Sequence, residues 1–383
     1  MREIAISVYL LVFKLLFNIF KFLPLKNKVA FLVSFINNPK YIYDEMQKQN
    51  IDVTPIFLCK SPDIKSFYKQ TSYAYIIESK NIIQITKSIY HLATSQYIIA
   101  DNYYGFLAVT KFKESVFCTQ VWHAAGAIKQ FGAMNPSNIN RTPTAIKRFH
   151  KVYSRFNQFV VGSDLMGDIF KKAMPSPNAL ILKTGIPFTD FYFDENKHMD
   201  IKKLYFATNP SFRGKKIILY APTFREDEGI PLIPLDLGKM YASLKKEHVL
   251  LVKTHPASKW ELPKDNDYSD FVFDYSYQHS IDELLLIADI LITDYSSLPM
   301  EFVFQRKKMI FYPYDLEDYR SKTGFWEDYE SSVPGPVVRN TTEVIEALLD
   351  QSFDRSLLDD FAKKWVSYCD GNSSERLVKI LFT

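Results

Sequence analysis

Four stretches of the chain put reactive side chains directly after short apolar runs. The first is Val121-Trp122-His123-Ala124-Ala125-Gly126-Ala127-Ile128-Lys129. A histidine delivered there can act as a general base near neutral pH. The small residues around Gly126 let a backbone approach closely, and Lys129 follows on the next turn. The bland alternative is a histidine hydrogen-bonded in a protein surface. The second stretch, Leu219 to Asp227, carries Thr223 and Arg225. A guanidinium suits bidentate phosphate contact. Glu226 and Asp227 follow at once, so a structural ion pair for Arg225 stays open. The third, Val252-Lys253-Thr254-His255-Pro256, sets Lys253 beside His255, a pair able to neutralise a diphosphate leaving group. The fourth runs from Asp289 to Phe302, where a strand ends in Thr293 and Asp294. Ser296 and Ser297 then open a helix that carries Glu301. Amides at a helix start and two hydroxyls converge on an anion, although serine is also an ordinary N-cap.

These stretches need a scaffold that aligns strand ends. From Lys28 onward, strand and helix patterns alternate, the signature of a mostly parallel α/β sheet. Strands are expected at 29–34, 53–59, 97–100, 116–122 and 159–162. After a charge-dense stretch near residue 195 the alternation starts afresh, with strands at 217–221, 249–254, 271–273, 290–293 and 309–312. The expected organisation is an N-terminal helix over 1–25, a Rossmann-like domain over 26–195 and a second over 196–383, with the last helices open to crossing back. Two such doubly wound halves facing across a cleft gather ligands at the carboxyl ends of their strands.

Composition narrows the chemistry. With 47 Lys and Arg against 43 Asp and Glu, the net charge of +4 is too mild for a nucleic-acid footprint. Cys59, Cys118 and Cys369 are odd in number and far apart, which suggests neither a disulfide framework nor a zinc site. No Walker loop, no G-x-G-x-x-G and no H-E-x-x-H occurs, and 12 glycines supply no glycine cradle. Phosphate binding must then rest on hydroxyls, helix termini, Lys and His.

Residues 4–23 are nearly continuously apolar. Glu3, Ser7, Lys14, Asn18 and Lys21 fall within a sector of roughly 60° on a helical projection. Such a helix can lie in a membrane interface, with Phe13, Phe17 and Phe20 in the acyl boundary and Lys14 and Lys21 near anionic head groups. A buried first helix is the alternative. No small-residue cleavage site follows, so a signal peptide is not expected.

Taken together, the four stretches resemble the CDP-glycerol glycerophosphotransferase family of teichoic acid synthesis. Its members carry a small-residue His-Lys loop, an Ala-Pro-Thr-aromatic-Arg loop, a Lys-Thr-His-Pro loop and a Thr-Asp-Tyr-Ser-Ser loop in this order. The likeness spans about residues 28 to 340. Trp122 to Gly132, Lys183 to Phe193 and Tyr312 to Pro336 are most similar to members that add the first glycerol phosphate to undecaprenyl-diphosphate-linked N-acetylmannosaminyl-N-acetylglucosamine, with release of CMP. A member adding the second glycerol phosphate, and a GT-B glycosyltransferase using a nucleotide sugar, stay open.

The resemblance implies a GT-B-like fold with the donor on the C-terminal half. His123 and His255 are then the candidate catalytic residues. Thr223, Arg225, Lys253, Thr293, Asp294, Ser296, Ser297 and Glu301 are candidates for donor binding, and Gly126 and Lys129 for the acceptor side. Implied partners are CDP-glycerol, the lipid-linked disaccharide, membrane lipids and other teichoic acid enzymes, at the cytoplasmic face of the plasma membrane. No cofactor is required by the resemblance, with Mg²⁺ assistance left open and no protein-ligated metal expected.

Overall fold

The computed structural model describes residues 2–69, 73–225, 233–254, 268–277 and 279–383. It divides into two compact units: Met1–Ala125, Gln130–Phe191 and Val366–Thr383 form the first, and Gly126–Lys129 with Tyr192–Trp365 the second. The chain therefore leaves the first unit for four residues inside the His123 loop, and its last helix belongs to the first unit.

The first unit opens with α1 (Arg2–Lys21) and then alternates β1 (Lys26–Val33), α2 (Asn37–Lys48), β2 (Thr54–Cys59), α3 (Pro62–Lys69), β3 (Tyr73–Ile76), α4 (Ile82–Thr94) and β4 (Ser95–Ala100). It continues through β5 (Phe117–Gln120), α5 (Pro143–Tyr153), β6 (Gln158–Val160), α6 (Asp164–Ala173) and β7 (Leu180–Leu182). The second unit contains α7 (Glu195–Thr208), β8 (Lys216–Ala221), α8 (Leu237–Leu244), β9 (His248–Val252), β10 (Val272–Asp274), α9 (Ile281–Ile287), β11 (Ile290–Thr293), α10 (Leu298–Phe302), β12 (Lys308–Phe311), α11 (Leu316–Thr323), α12 (Tyr329–Ser332), α13 (Thr341–Leu349) and α14 (Ser356–Trp365). Helix α15 (Ser373–Phe382) then completes the first unit.

Both sheets are parallel, with strand orders β3-β2-β1-β4-β5-β6-β7 and β10-β9-β8-β11-β12. Their central strands are apolar on both faces because helices cover both sides, so Val29 to Val33 and Val249 to Val252 are fully buried. In each sheet the strand order reverses beside its first strand: between β1 and β4, and between β8 and β11. Crevices at the carboxyl ends of strands open at such switch points, and ligands of this fold class bind there.

Helix α1 corrects the membrane expectation residue by residue. Phe13 and Phe17 are buried in the unit, stacked on Phe106 at 4.8 Å and edge-on to Phe112 at 5.6 Å. Phe20 meets Tyr90 of α4 at 5.6 Å. These rings are therefore core, each of the buried pair contributing about 1.5–3 kcal/mol. The outward apolar stripe is instead Ile4, Val8, Leu11, Leu15, Ile19 and Phe22, all exposed. The helix has two apolar faces, and the polar residues Lys14, Asn18 and Lys21 run along the side between them, as a rotation of about 100° per residue requires.

Candidate active site

In the first unit, the site is built at the ends of β1, β4 and β5. His123 Nδ1 lies 3.0 Å from the carbonyl oxygen of Asp101, directly after β4. A carbonyl can only accept, so Nδ1 carries the ring proton and Nε2 keeps a basic lone pair. The imidazole is stacked between Phe35 (4.6 Å) and Trp122 (4.4 Å). Burial pushes its pKa below the ordinary histidine value, opposed by the bond to Asp101, so the ring is neutral at physiological pH.

The positioning is elaborate. Trp122 adopts a left-handed backbone (φ 58°), an unfavourable conformation for a bulky residue. It is held by Gln120 Oε1, which accepts from Trp122 N at 2.9 Å, and by Asn38 Nδ2, which donates to the carbonyls of Val121 and Trp122 at 3.0 Å each. Asn38 Oδ1 in turn accepts from Phe188 N. The Asp101 carboxylate accepts from Ser34 N, Phe35 N (2.7 Å) and the Tyr104 hydroxyl (2.7 Å). That ties the loop bearing Phe35 to the strand bearing Asp101. Burial lifts the Asp101 carboxyl to about 7 even against these donors.

In the second unit, several residues expected to hold the donor are engaged by other protein groups. Arg225 donates Nε and Nη2 to Asp315 (2.7 and 2.9 Å), Nη2 also to Asp294 (2.9 Å), and Nη1 to the Thr223 carbonyl (2.6 Å). Its plane also lies against Tyr295, Tyr314 and Tyr319, and Tyr295 donates to Asp315. The guanidinium thus spends four of its five donors on described residues, and its ion-pair partners are Asp294 and Asp315. Asp294 accepts in addition from Thr223 N and Tyr295 N, and an anionic group so placed repels a diphosphate. Thr293 donates to the Ala221 carbonyl and is fully buried. Lys253 spends its three donors on the carbonyls of Tyr275, Ser276 and His279. Glu301 is buried in α10. His255 lies outside the described residues.

Helix α10 has five residues, too few for a substantial dipole, so the Ser-Ser loop offers hydroxyls rather than a helix terminus. Ser296 Oγ accepts from Leu298 N at 3.2 Å, which leaves its proton to donate outward. Ser297 makes no side-chain cap, and both serines are partly exposed. The Thr223 hydroxyl is buried without a hydrogen-bond partner among the described residues.

Gly126 and Lys129, expected on the acceptor side, belong to the second unit. A side chain at Gly126 would meet Met300 and Trp365 at 3.0 Å each, so the glycine serves packing against α10 and α14. Lys129 is bridged through its backbone to Phe325, and its ammonium lies 5.9 Å from the Tyr319 ring. Burial lowers its pKa, while Asp294 raises it and Arg225 lowers it, which places the ammonium in the field of that ion cluster. Sequence reasoning missed Asp101, Asn38 and Asp315. An Asp immediately following the apolar run of β4 was the available signal for the first.

Two parallel doubly wound sheets with reactive side chains at their switch points, an imidazole on one and a hydroxyl loop on the other, make up a GT-B-like fold. A family model for CDP-Glycerol:Poly(glycerophosphate) glycerophosphotransferase matches residues 15–383, and the chain belongs to that family of teichoic acid synthesis enzymes. It is 36% identical over 384 residues to a teichoic acid glycerol-phosphate primase of Bacillus subtilis, covering 99% of this chain and 98% of that one. It is 31% identical to a teichoic acid poly(ribitol-phosphate) polymerase of Bacillus spizizenii, covering 96% of this chain and 58% of the relative. The fold matches the solved wall teichoic acid polymerase TagF with a TM-score of 0.78 at 22% identity, over 98% of this chain and 94% of that one.

Proposed function

We propose that the chain transfers glycerol phosphate from CDP-glycerol to the N-acetylmannosamine hydroxyl of undecaprenyl-diphosphate-linked N-acetylmannosaminyl-N-acetylglucosamine. The observation that carries this reading is the difference in identity: 36% and 34% to two teichoic acid glycerol-phosphate primases, against 26% to a teichoic acid glycerol-phosphate transferase. The His123 geometry supports the chemistry. Nε2 takes the proton of the acceptor hydroxyl, whose oxygen attacks the phosphorus bearing the glycerol. The bond from that phosphorus to the bridging oxygen breaks, and CMP leaves with the bridging oxygen. Such a transfer needs positioning and charge stabilisation more than covalent help.

Ser296, Ser297 and the Thr223 hydroxyl donate to the donor phosphates, and Lys129 supplies the positive charge that Arg225 and Lys253 have committed elsewhere. The family resemblance assigns His255 to the donor diphosphate as well. The exposed stripe of α1 lies in the interface at the cytoplasmic face of the plasma membrane, where the polyprenyl acceptor resides. Transfer proceeds without a required metal, so excess EDTA leaves turnover unchanged.

Purified protein given CDP-glycerol and the lipid disaccharide should release CMP. Silence with that acceptor, together with release when the acceptor already bears one glycerol phosphate, overturns the primase reading. Release from a UDP-sugar and none from CDP-glycerol overturns the phosphotransfer altogether.

A further inference from the structure

At the amino end of the first sheet, remote along every strand from the catalytic loops, a cavity of about 220 Å³ is lined by Lys26, Lys28, Thr54, Tyr73, Tyr75 and His91, with Tyr90 at its side. Lys28 is 4% exposed. Its ammonium donates to Thr94 Oγ1 at 2.6 Å and to His91 Nδ1 at 3.2 Å, so one of its three protons is uncommitted. Since His91 Nδ1 accepts, its ring proton sits on Nε2 as a further donor. The ammonium groups of Lys28 and Lys26 lie 4.7 and 5.5 Å from the Tyr90 ring.

Buried lysines are ordinarily paired with carboxylates. Here no carboxylate lines the cavity among the described residues, and the charges acting on Lys28 and His91 are all lysines: Lys26 on the first, and Lys26, Lys28 and Lys87 on the second. Burial and that repulsion push Lys28 down to about 8 and His91 down to about 4. The cavity therefore collects donors and positive charge with nothing to neutralise them. It also adjoins α1, because Phe20 packs edge-on against the same Tyr90 ring; the exposed Ile19 precedes it in the helix and the exposed Phe22 follows just past the helix end.

We propose that this cavity binds a phosphate group, held by Lys28, Lys26 and the His91 Nε2 proton, as presented by an anionic phospholipid head group at the foot of α1. The lipid arm rests on the interfacial placement of α1 proposed above. The phosphate arm does not.

The test uses the full chain in two arms. Co-sedimentation compares vesicles of phosphatidylglycerol with vesicles of phosphatidylcholine. Calorimetric titration uses inorganic phosphate and glycerol 3-phosphate. Lys26→Gln removes an exposed cation and should weaken phosphatidylglycerol binding about fivefold. Lys28→Met should weaken it about tenfold or more. Neither should change phosphatidylcholine binding or CMP release in detergent, which separates failure of this site from failure of the transferase reading. Loss of soluble phosphate binding in both variants, with vesicle binding intact, keeps the anion site but assigns it to a free phosphate. If Lys26→Gln, a surface change that leaves folding intact, alters neither arm, the proposal is wrong whatever Lys28→Met does.

Discussion

Replacing Arg225 by methionine separates a scaffold from a ligand-binding role. The substitution keeps much of the side-chain volume but deletes four hydrogen bonds: two to Asp315, one to Asp294 and one to the Thr223 carbonyl. Asp294 is left buried and Asp315 partly buried without their cation, with side chains 2% and 15% exposed. Breaking a buried ion pair by removing one partner costs about 3–5 kcal/mol. For a unit of this size, each kcal/mol moves the melting temperature by about 2–4 °C, so the second unit should melt about 6–20 °C lower. Burial alone would raise the Asp315 carboxyl, but the Arg225 hydrogen bonds and charge hold it below the usual range. Its contribution is therefore complete above the unfolded carboxyl value near 4 and fades as pH falls through the lower folded value, so the deficit of the variant should shrink below about pH 4. Thermal melts from pH 7 to pH 3, with Michaelis constants for CDP-glycerol at pH 7, decide the matter. Melting within 2 °C of wild type, alongside a large rise in the Michaelis constant, would refute the scaffold assignment.

His123→Ala should lower kcat by about 10²–10⁴ with an unchanged fold by circular dichroism. Because burial depresses that imidazole, the acid limb of the wild-type kcat/KM profile should fall below the ordinary histidine value of about 6.5; a limb above it contradicts the buried neutral ring. The pair Ser296→Ala and Ser297→Ala should weaken CDP-glycerol binding about tenfold or more while leaving the melt in place, since both side chains are partly exposed and neither donates to a described residue. On α1, Ile19→Asp should release the protein from vesicles without destabilising it, whereas Phe17→Ala should cost about 3–5 kcal/mol. The reverse pattern would exchange the two faces of the helix.

What the sequence made legible was the interior of each sheet. Runs such as Val29 to Val33 and Ile290 to Thr293 are apolar on both faces, and their period alone marks them as central parallel strands. The edge strands β3 and β7 escaped notice because they are short and partly exposed, with Tyr73 and Leu180 facing solvent. The reactive loops were legible as places, since strand ends can be counted. The work each residue does there was not. Arg225 is claimed by Asp315, 90 residues on, and Lys253 by three carbonyls that follow β10. Long-range partners decide whether a cation is spent or available, and spacing along the chain carries no trace of them. Lys129 illustrates the converse: adjacent in sequence to the His123 loop, it belongs to the other unit.

The two-faced character of α1 sets a depth gauge. By length and apolarity the helix could cross a bilayer. Crossing would first strip Phe13 and Phe17 from Phe106 and Phe112 and leave those two protein rings facing water, at about 3–6 kcal/mol for the pair. With a helix some 10–12 Å across and one side fastened to the protein, only the outer half, about 5 Å, is free to sink. On the interfacial placement proposed for α1, the first unit would be held at a fixed height above the acyl chains. Deleting residues 1–23 would bare an aromatic trough on the protein, and the expected fate of the shortened chain is aggregation rather than solubility.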